Sequence, residues 1–134
     1  MPDATGEPAV SPLKSKTGLA RIGAAVGYSI AGFRTAWQNE HAFRQELVLF
    51  AIAAVIAFWL PLSLAQQLLL VAVLVVVLIV ELLNSAIEAV IDRISLEAHP
   101  LSKAAKDLGS AAVCLALMLA AITWAAVVIP LALK

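Results

Sequence analysis

The chain has 134 residues, of which 63% are hydrophobic and 13% charged, with nine Lys and Arg balancing nine Asp and Glu. A soluble domain is ordinarily about 45–50% apolar, so the composition excludes an ordinary water-soluble protein and points to one compact membrane unit. Zero net charge without a basic run gives no footing for nucleic-acid binding. The lone Cys114 allows neither an internal disulfide nor a ligand set, and it reads as packing.

Residues 1–17 contain Pro2, Pro8 and Pro12 with scattered charges and no apolar period, which predicts a disordered leader. They lack the apolar core and small-residue cleavage site of a signal peptide. From Leu19 the pattern changes. Leu19, Ile22, Val26, Ile30, Phe33 and Trp37 recur at spacings of three and four, which predicts an amphipathic helix over about residues 19–38. Arg21, Tyr28 and Ser29 lie off that stripe. Such a helix just before a membrane span most simply lies in the interface plane, and packing against the protein's own spans is the other reading. Gly23 and Gly27, four apart, would allow another backbone to approach.

The polar stretch Asn39, Glu40, His41, Ala42, Phe43, Arg44, Gln45 and Glu46 feeds into an apolar run over 47–60. Those fourteen residues rise only about 21 Å as a helix, short of a hydrocarbon core of about 30 Å. The first span is therefore expected over about 42–60, with Arg44 snorkelling and Glu46 turned inward. Trp59 and Pro61 mark its far end and a tight hairpin. The second span is expected over about 68–92 with its helix continuing to about Ile94, then a polar connection over 95–107, then a third span over about 109–130 ending at Pro130.

The second span carries the costly residues. Read as a helix, Glu81, Asn84, Ser85, Glu88 and Asp92 fall within an arc of roughly 100°, directly after the apolar run 68–80. Ionisable groups at the end of a span are tolerated mainly where they line a site or meet a partner. Lys14, Lys16, Arg21, Arg34, Arg44, Arg93, Lys103 and Lys106 lie before the first span or between the second and third, against Lys134 alone after the third. This asymmetry predicts a cytoplasmic N-terminus and polar connection, with a periplasmic C-terminus. Every charge cluster then faces the side where nucleotides are available.

Glu40 and Glu46, the acidic face from Glu81 to Asp92, and Lys103, Lys106 and Asp107 converge on that surface. Internal ion pairs holding three helices together would account for part of this, but they leave more carboxylate than nearby cation. Facing carboxylates repel unless a divalent cation sits between them. Mg²⁺ suits one or two carboxylates completed by substrate phosphates, and lysine adds a point charge for phosphate. A deeper carboxylate can take a proton from a lipid hydroxyl. Together these suggest phosphoryl transfer at the interface. Neither a Walker loop nor a protein-kinase glycine loop occurs, so the nucleotide site is of another kind.

Three ordered motifs make the pattern recognisable. Glu81-x-x-Asn84-Ser85-Ala86-Ile87-Glu88-x-x-x-Asp92-Arg93, with Asn39-Glu40-x-Ala42-Phe43-Arg44-Gln45-Glu46 before it and Ala105-Lys106-Asp107-x-Gly109-Ser110-Ala111-Ala112 after it, closely resembles the small integral-membrane bacterial diacylglycerol kinases. The resemblance runs from about Gly18 to Trp124, and its wording is nearer the diacylglycerol branch than the related undecaprenol kinases.

The resemblance implies an all-α integral membrane fold. It implies an N-terminal amphipathic interfacial helix and three transmembrane helices per protomer, assembled as a homotrimer with active sites shared between neighbours. It implies an enzyme that uses ATP and Mg²⁺ to phosphorylate diacylglycerol. Glu81 would be the general base, Asn84 would support the catalytic helix by hydrogen bonding, and Glu40 and Glu88 would hold the metal that bridges the ATP phosphates. Arg21, Tyr28, Glu97, His99, Lys106 and Asp107 match positions around ATP. Arg34, Trp37, Phe43, Arg44, Gln45, Glu46 and Ser110 match the lipid side. The chain departs from the family pattern at Ala98 and Pro100 in the connection, at Ala31, where a basic residue is usual, and in its longer leader. Undecaprenol kinase is the alternative within this chemistry. A small ion-coupled transport subunit is the alternative outside it, although the runs 47–60 and 68–80 lack the polar residues an ion path needs.

Overall fold

The computed structural model describes residues 18–94 and 97–133. Among them are four α-helices and no strand: α1 (Leu19–Asn39), α2 (His41–Trp59), α3 (Leu64–Ile94) and α4 (Pro100–Ala132). The expected leader lies outside the described residues, as do Ser95, Leu96 and Lys134. The chain divides between Thr35 and Ala36 into two units.

The first unit holds most of α1. Gly18 opens it at φ +63°, a left-handed conformation that glycine adopts without a Cβ penalty, and its carbonyl accepts the N–H groups of Arg21 and Ile22 at 3.1 and 3.4 Å. Leu19, Ile22, Val26, Ile30 and Phe33 are exposed along the predicted stripe.

In the second unit α2, α3 and α4 are each long and apolar enough to cross a membrane. The 19 residues of α2 rise about 28 Å, close to one hydrocarbon core, whereas the 31 of α3 and 33 of α4 rise about 46 and 50 Å and carry polar ends beyond it. α3 packs mainly on α4 and less extensively on α2. Its core sets Val73 and Val77 of α3 against Ala116 and Ala120 of α4, flanked by Leu74, Val80 and Trp124. Alanines four apart form a shallow stripe that lets the α4 backbone come close. Trp124 Nε1 donates to the carbonyl of fully buried Leu70 at 3.2 Å, tying the two helices one layer further out. Most remaining apolar side chains face outward, as suits lipid or another membrane-embedded surface.

Helix boundaries differ from the sequence reading at three places, each for a local reason. α3 begins at Leu64 rather than near 68 because Ser63 and Gln66 form a capping box: Ser63 Oγ accepts the Gln66 N–H at 3.3 Å, and Gln66 Oε1 accepts the Ser63 N–H at 3.0 Å. α4 begins at Pro100 rather than near 109. His99 caps it by accepting the Leu101 N–H at 3.2 Å, and proline at the first position arrives with helical φ already set. Lys103, Lys106 and Asp107 therefore stand on α4 itself. Finally, α4 passes through Pro130 and ends at Ala132, with the Leu133 N–H on Ile129 O at 3.2 Å; so near the end, proline interrupts little of the helix.

Candidate active site

The buried stripe of α3 runs Leu70, Val73, Val77, Glu81 and Ile91, and half-buried Asn84 and Glu88 fill the gap at the same spacing of three and four. Over Glu81, Asn84 and Glu88 the acidic stretch is thus a continuation of the helix-packing seam. Glu81 is 5% exposed. It stands about 26 Å along α3 from Leu64, a rise close to the thickness of one hydrocarbon core.

Carboxylates from α2 join it. Glu40 is the N-cap residue of α2, Glu46 lies on its second turn, and Glu40, Glu46 and Glu88 each interact electrostatically with Glu81. Asn84 Nδ2 donates to Glu88 Oε1 at 3.2 Å. Asn84 Oδ1 is buried without a hydrogen-bond partner among the described residues, and so is Glu46 Oε2. Leaving such an atom unpaired costs about 1–3 kcal/mol. Glu46 also borders an apolar cavity of about 270 Å³ formed with Phe50, Ile56, Leu74, Leu78 and Leu117.

The turn into α2 is held by Arg44. Its Nη1 donates to the carbonyls of Trp37 and Gln38 at 2.8 and 3.1 Å, and its Nη2 lies 2.7 Å from His41 Nδ1. A guanidinium caps the last carbonyls of α1 in this way. Phe43 is buried beside it in sequence, and Trp37 and Gln45 are exposed.

A second cavity, about 820 Å³, opens where α3 leads to α4, lined by Asp92, Glu97, His99, Lys103, Lys106 and Asp107. Lys106 Nζ donates to Asp92 Oδ1 at 2.6 Å, and Lys103 pairs with Asp107 one turn on. Both pairs are exposed, so their charges are screened, and each ammonium keeps donors for an anion. The volume suits a nucleotide-sized ligand.

Residues 27–128 match the model of the family described as prokaryotic diacylglycerol kinase. The chain belongs to the prokaryotic diacylglycerol kinase family. It is 53% identical to a diacylglycerol kinase of Pseudomonas aeruginosa over 119 residues, covering 89% of this chain and 97% of that one. It is 54% identical to a diacylglycerol kinase of Escherichia coli over 108 residues, covering 81% and 88%. A Helicobacter pylori diacylglycerol kinase is 37% identical over 123 residues, covering 92% and 95%.

Of the residues that the family resemblance singles out, Glu40, Glu46, Glu81, Asn84 and Glu88 come together, and Glu97, His99, Lys106 and Asp107 line the larger cavity. Arg21, Tyr28 and Arg34 are exposed on α1 in the first unit, and Ser110 is exposed on α4. Among the described residues no three His, Cys, Asp or Glu side chains assemble a metal site by themselves. Glu88 accepts the Asn84 amide on one oxygen, and its other oxygen is left for a further ligand.

Sequence reasoning missed two contacts. It did not join Asp92 to Lys106, as the structure does. It also quoted Gly109 in the third motif without giving it a contact; Gly109 is buried on α4, where an added Cβ would overlap Asn84 Oδ1. The available signal was a glycine inside an otherwise alanine-rich span.

Proposed function

We infer that this protein phosphorylates diacylglycerol with ATP, yielding phosphatidic acid and ADP, at the cytoplasmic face of a bacterial inner membrane. The observation that carries the reading is Glu81, buried on a helix seam at membrane depth among other carboxylates, in a chain whose relatives are named diacylglycerol kinase.

Glu81 has the position of a general base. The lipid's free hydroxyl oxygen forms a bond to the γ-phosphorus as the bond from that phosphorus to the β–γ bridging oxygen breaks, and Glu81 takes the hydroxyl proton. Depth supports the division of labour: Glu88 lies two turns nearer the polar end of α3, about 10 Å along the helix. Glu40 and Glu88 would hold Mg²⁺, which when bound neutralises charge on the phosphates. Asn84 steadies Glu88. Lys106, Asp107, Glu97 and His99 border the space assigned to ATP, and Arg21 and Tyr28 are assigned to ATP by the family resemblance alone. Phe43, Gln45, Glu46 and Ser110, with Arg34 and Trp37, are assigned to the lipid. Arg44 contributes to that side by fixing the turn that carries Phe43 and Glu46.

A homotrimer with shared active sites is part of this reading. It is supported by the outward-facing apolar surface of all three spans, which a neighbouring protomer would cover in part. The charge asymmetry supports the orientation.

The test is phosphate transfer from radiolabelled ATP by purified protein in detergent and lipid. Labelled phosphatidic acid is the expected product. A higher rate on undecaprenol than on diacylglycerol would move the assignment to the alternative lipid, and ion flux in liposomes without ATP would replace it.

A further inference from the structure

Building on the assignment of Glu88 to the nucleotide end of the site, we propose that Gly109 is a positioning residue for phosphoryl transfer. The missing side chain at 109 leaves the space in which the Asn84 amide holds Glu88.

Gly109 is buried on α4 against α3. A Cβ built there would overlap Asn84 Oδ1 and stand 3.2 Å from Asn84 Cγ, whereas the same construction at Gly23, Gly27 and Gly32 meets open space. The Asn84 amide is therefore fixed at both ends. Oδ1 rests against the α4 backbone with no hydrogen-bond partner among the described residues, and Nδ2 donates to Glu88 Oε1 at 3.2 Å. Turned over, the amide would set an acceptor oxygen against a carboxylate oxygen with no proton between them, so Glu88 selects the orientation observed. Asn84 and Glu88 are neighbours four apart on one helix, and their bond needs the Asn84 side chain directed over that face. A side chain at 109 removes this rotamer and frees the Glu88 carboxylate.

Helix propensity argues the opposite sign, which makes the proposal easy to overturn. Alanine is the better helix former, and Gly→Ala in a helix with room for a methyl group is stabilising. Steric conflict with Asn84 reverses that expectation at 109.

The experiment is a double-mutant cycle of Gly109→Ala and Asn84→Ala in detergent, read by the midpoint of thermal unfolding without ligand and by the KM for MgATP. Gly109→Ala is expected to lower the midpoint and raise the KM for MgATP about tenfold, with a smaller change in the KM for diacylglycerol. In the Asn84→Ala background the same change is expected to leave the midpoint level or raise it. An equal penalty in both backgrounds overturns the proposal, and so does a raised midpoint with unchanged KM for Gly109→Ala alone. If Gly109→Ala alone does not accumulate as folded protein, recovery in the double variant supports the proposal and failure to recover overturns it. The unfolding arm needs no turnover. A wild-type protein inactive on diacylglycerol would therefore refute the lipid-kinase reading, and the coupling of Gly109 to Asn84 would still be decided.

Discussion

Lys106 Nζ lies 2.6 Å from Asp92 Oδ1, joining the last turn of α3 to the second turn of α4. Because both side chains are about half exposed, the pair is screened and contributes little to folding. Its worth lies in holding a cation at the mouth of the larger cavity. Lys106→Met is expected to leave the unfolding midpoint nearly unchanged and to raise the KM for MgATP about tenfold, as loss of one charge-assisted phosphate contact would. Steady-state kinetics with a parallel melt would separate the two effects.

The Trp124 contact predicts the reverse pattern. Trp124→Phe keeps the ring against the Val73 and Ala116 cluster and deletes only the Nε1 donor to Leu70 O. A loss of about 0.5–1.5 kcal/mol is expected, with kcat and both KM values retained, since the bond lies far along α3 from Glu81. Denaturant or thermal unfolding in detergent gives the first number and turnover gives the second.

The turn at 60–63 offers a similar test of local physics. Ser63→Ala removes the hydroxyl that accepts the Gln66 N–H at 3.3 Å. A cost of about 1 kcal/mol is expected, concentrated at the start of α3, where hydrogen exchange should speed up at Gln66 and Gln67 before it does so near Glu81.

Arg44 is a site where charge alone is not enough. Its guanidinium reaches two carbonyls and His41 at once, a fork that an ammonium cannot reproduce. Arg44→Lys is therefore expected to lower the unfolding midpoint and to raise the KM for diacylglycerol, because the turn carrying Phe43 and Glu46 loosens. A lysine variant indistinguishable from wild type would show that only the charge matters there.

Much of this was legible in the sequence because the signals were strong and local. The apolar runs had no rival to a membrane span, and the spacing from Glu81 to Asp92 put the acidic residues on one face of a helix that does run to Ile94. What periodicity could not say was which face that is. Leu70, Val73 and Val77 line up with Glu81 only once α4 is in place, so the seam and the site proved to be one stripe. Capping chemistry moved the ends: Ser63 with Gln66, and His99 with Pro100, extended α3 and α4 beyond their apolar windows. The close approach of Gly109 to Asn84 joins residues 25 apart in the chain, so a glycine in an alanine-rich helix marks a close approach but does not name its partner.

The measurement that bears most directly on the central claim is the turnover of Glu81→Gln on diacylglycerol with MgATP. Glutamine keeps the volume at a buried position and abolishes the proton acceptor. The account predicts a fall in kcat of about 10²–10⁴-fold with an unchanged unfolding midpoint and oligomer mass. A Glu81→Gln enzyme that turns over at near the wild-type rate would contradict it.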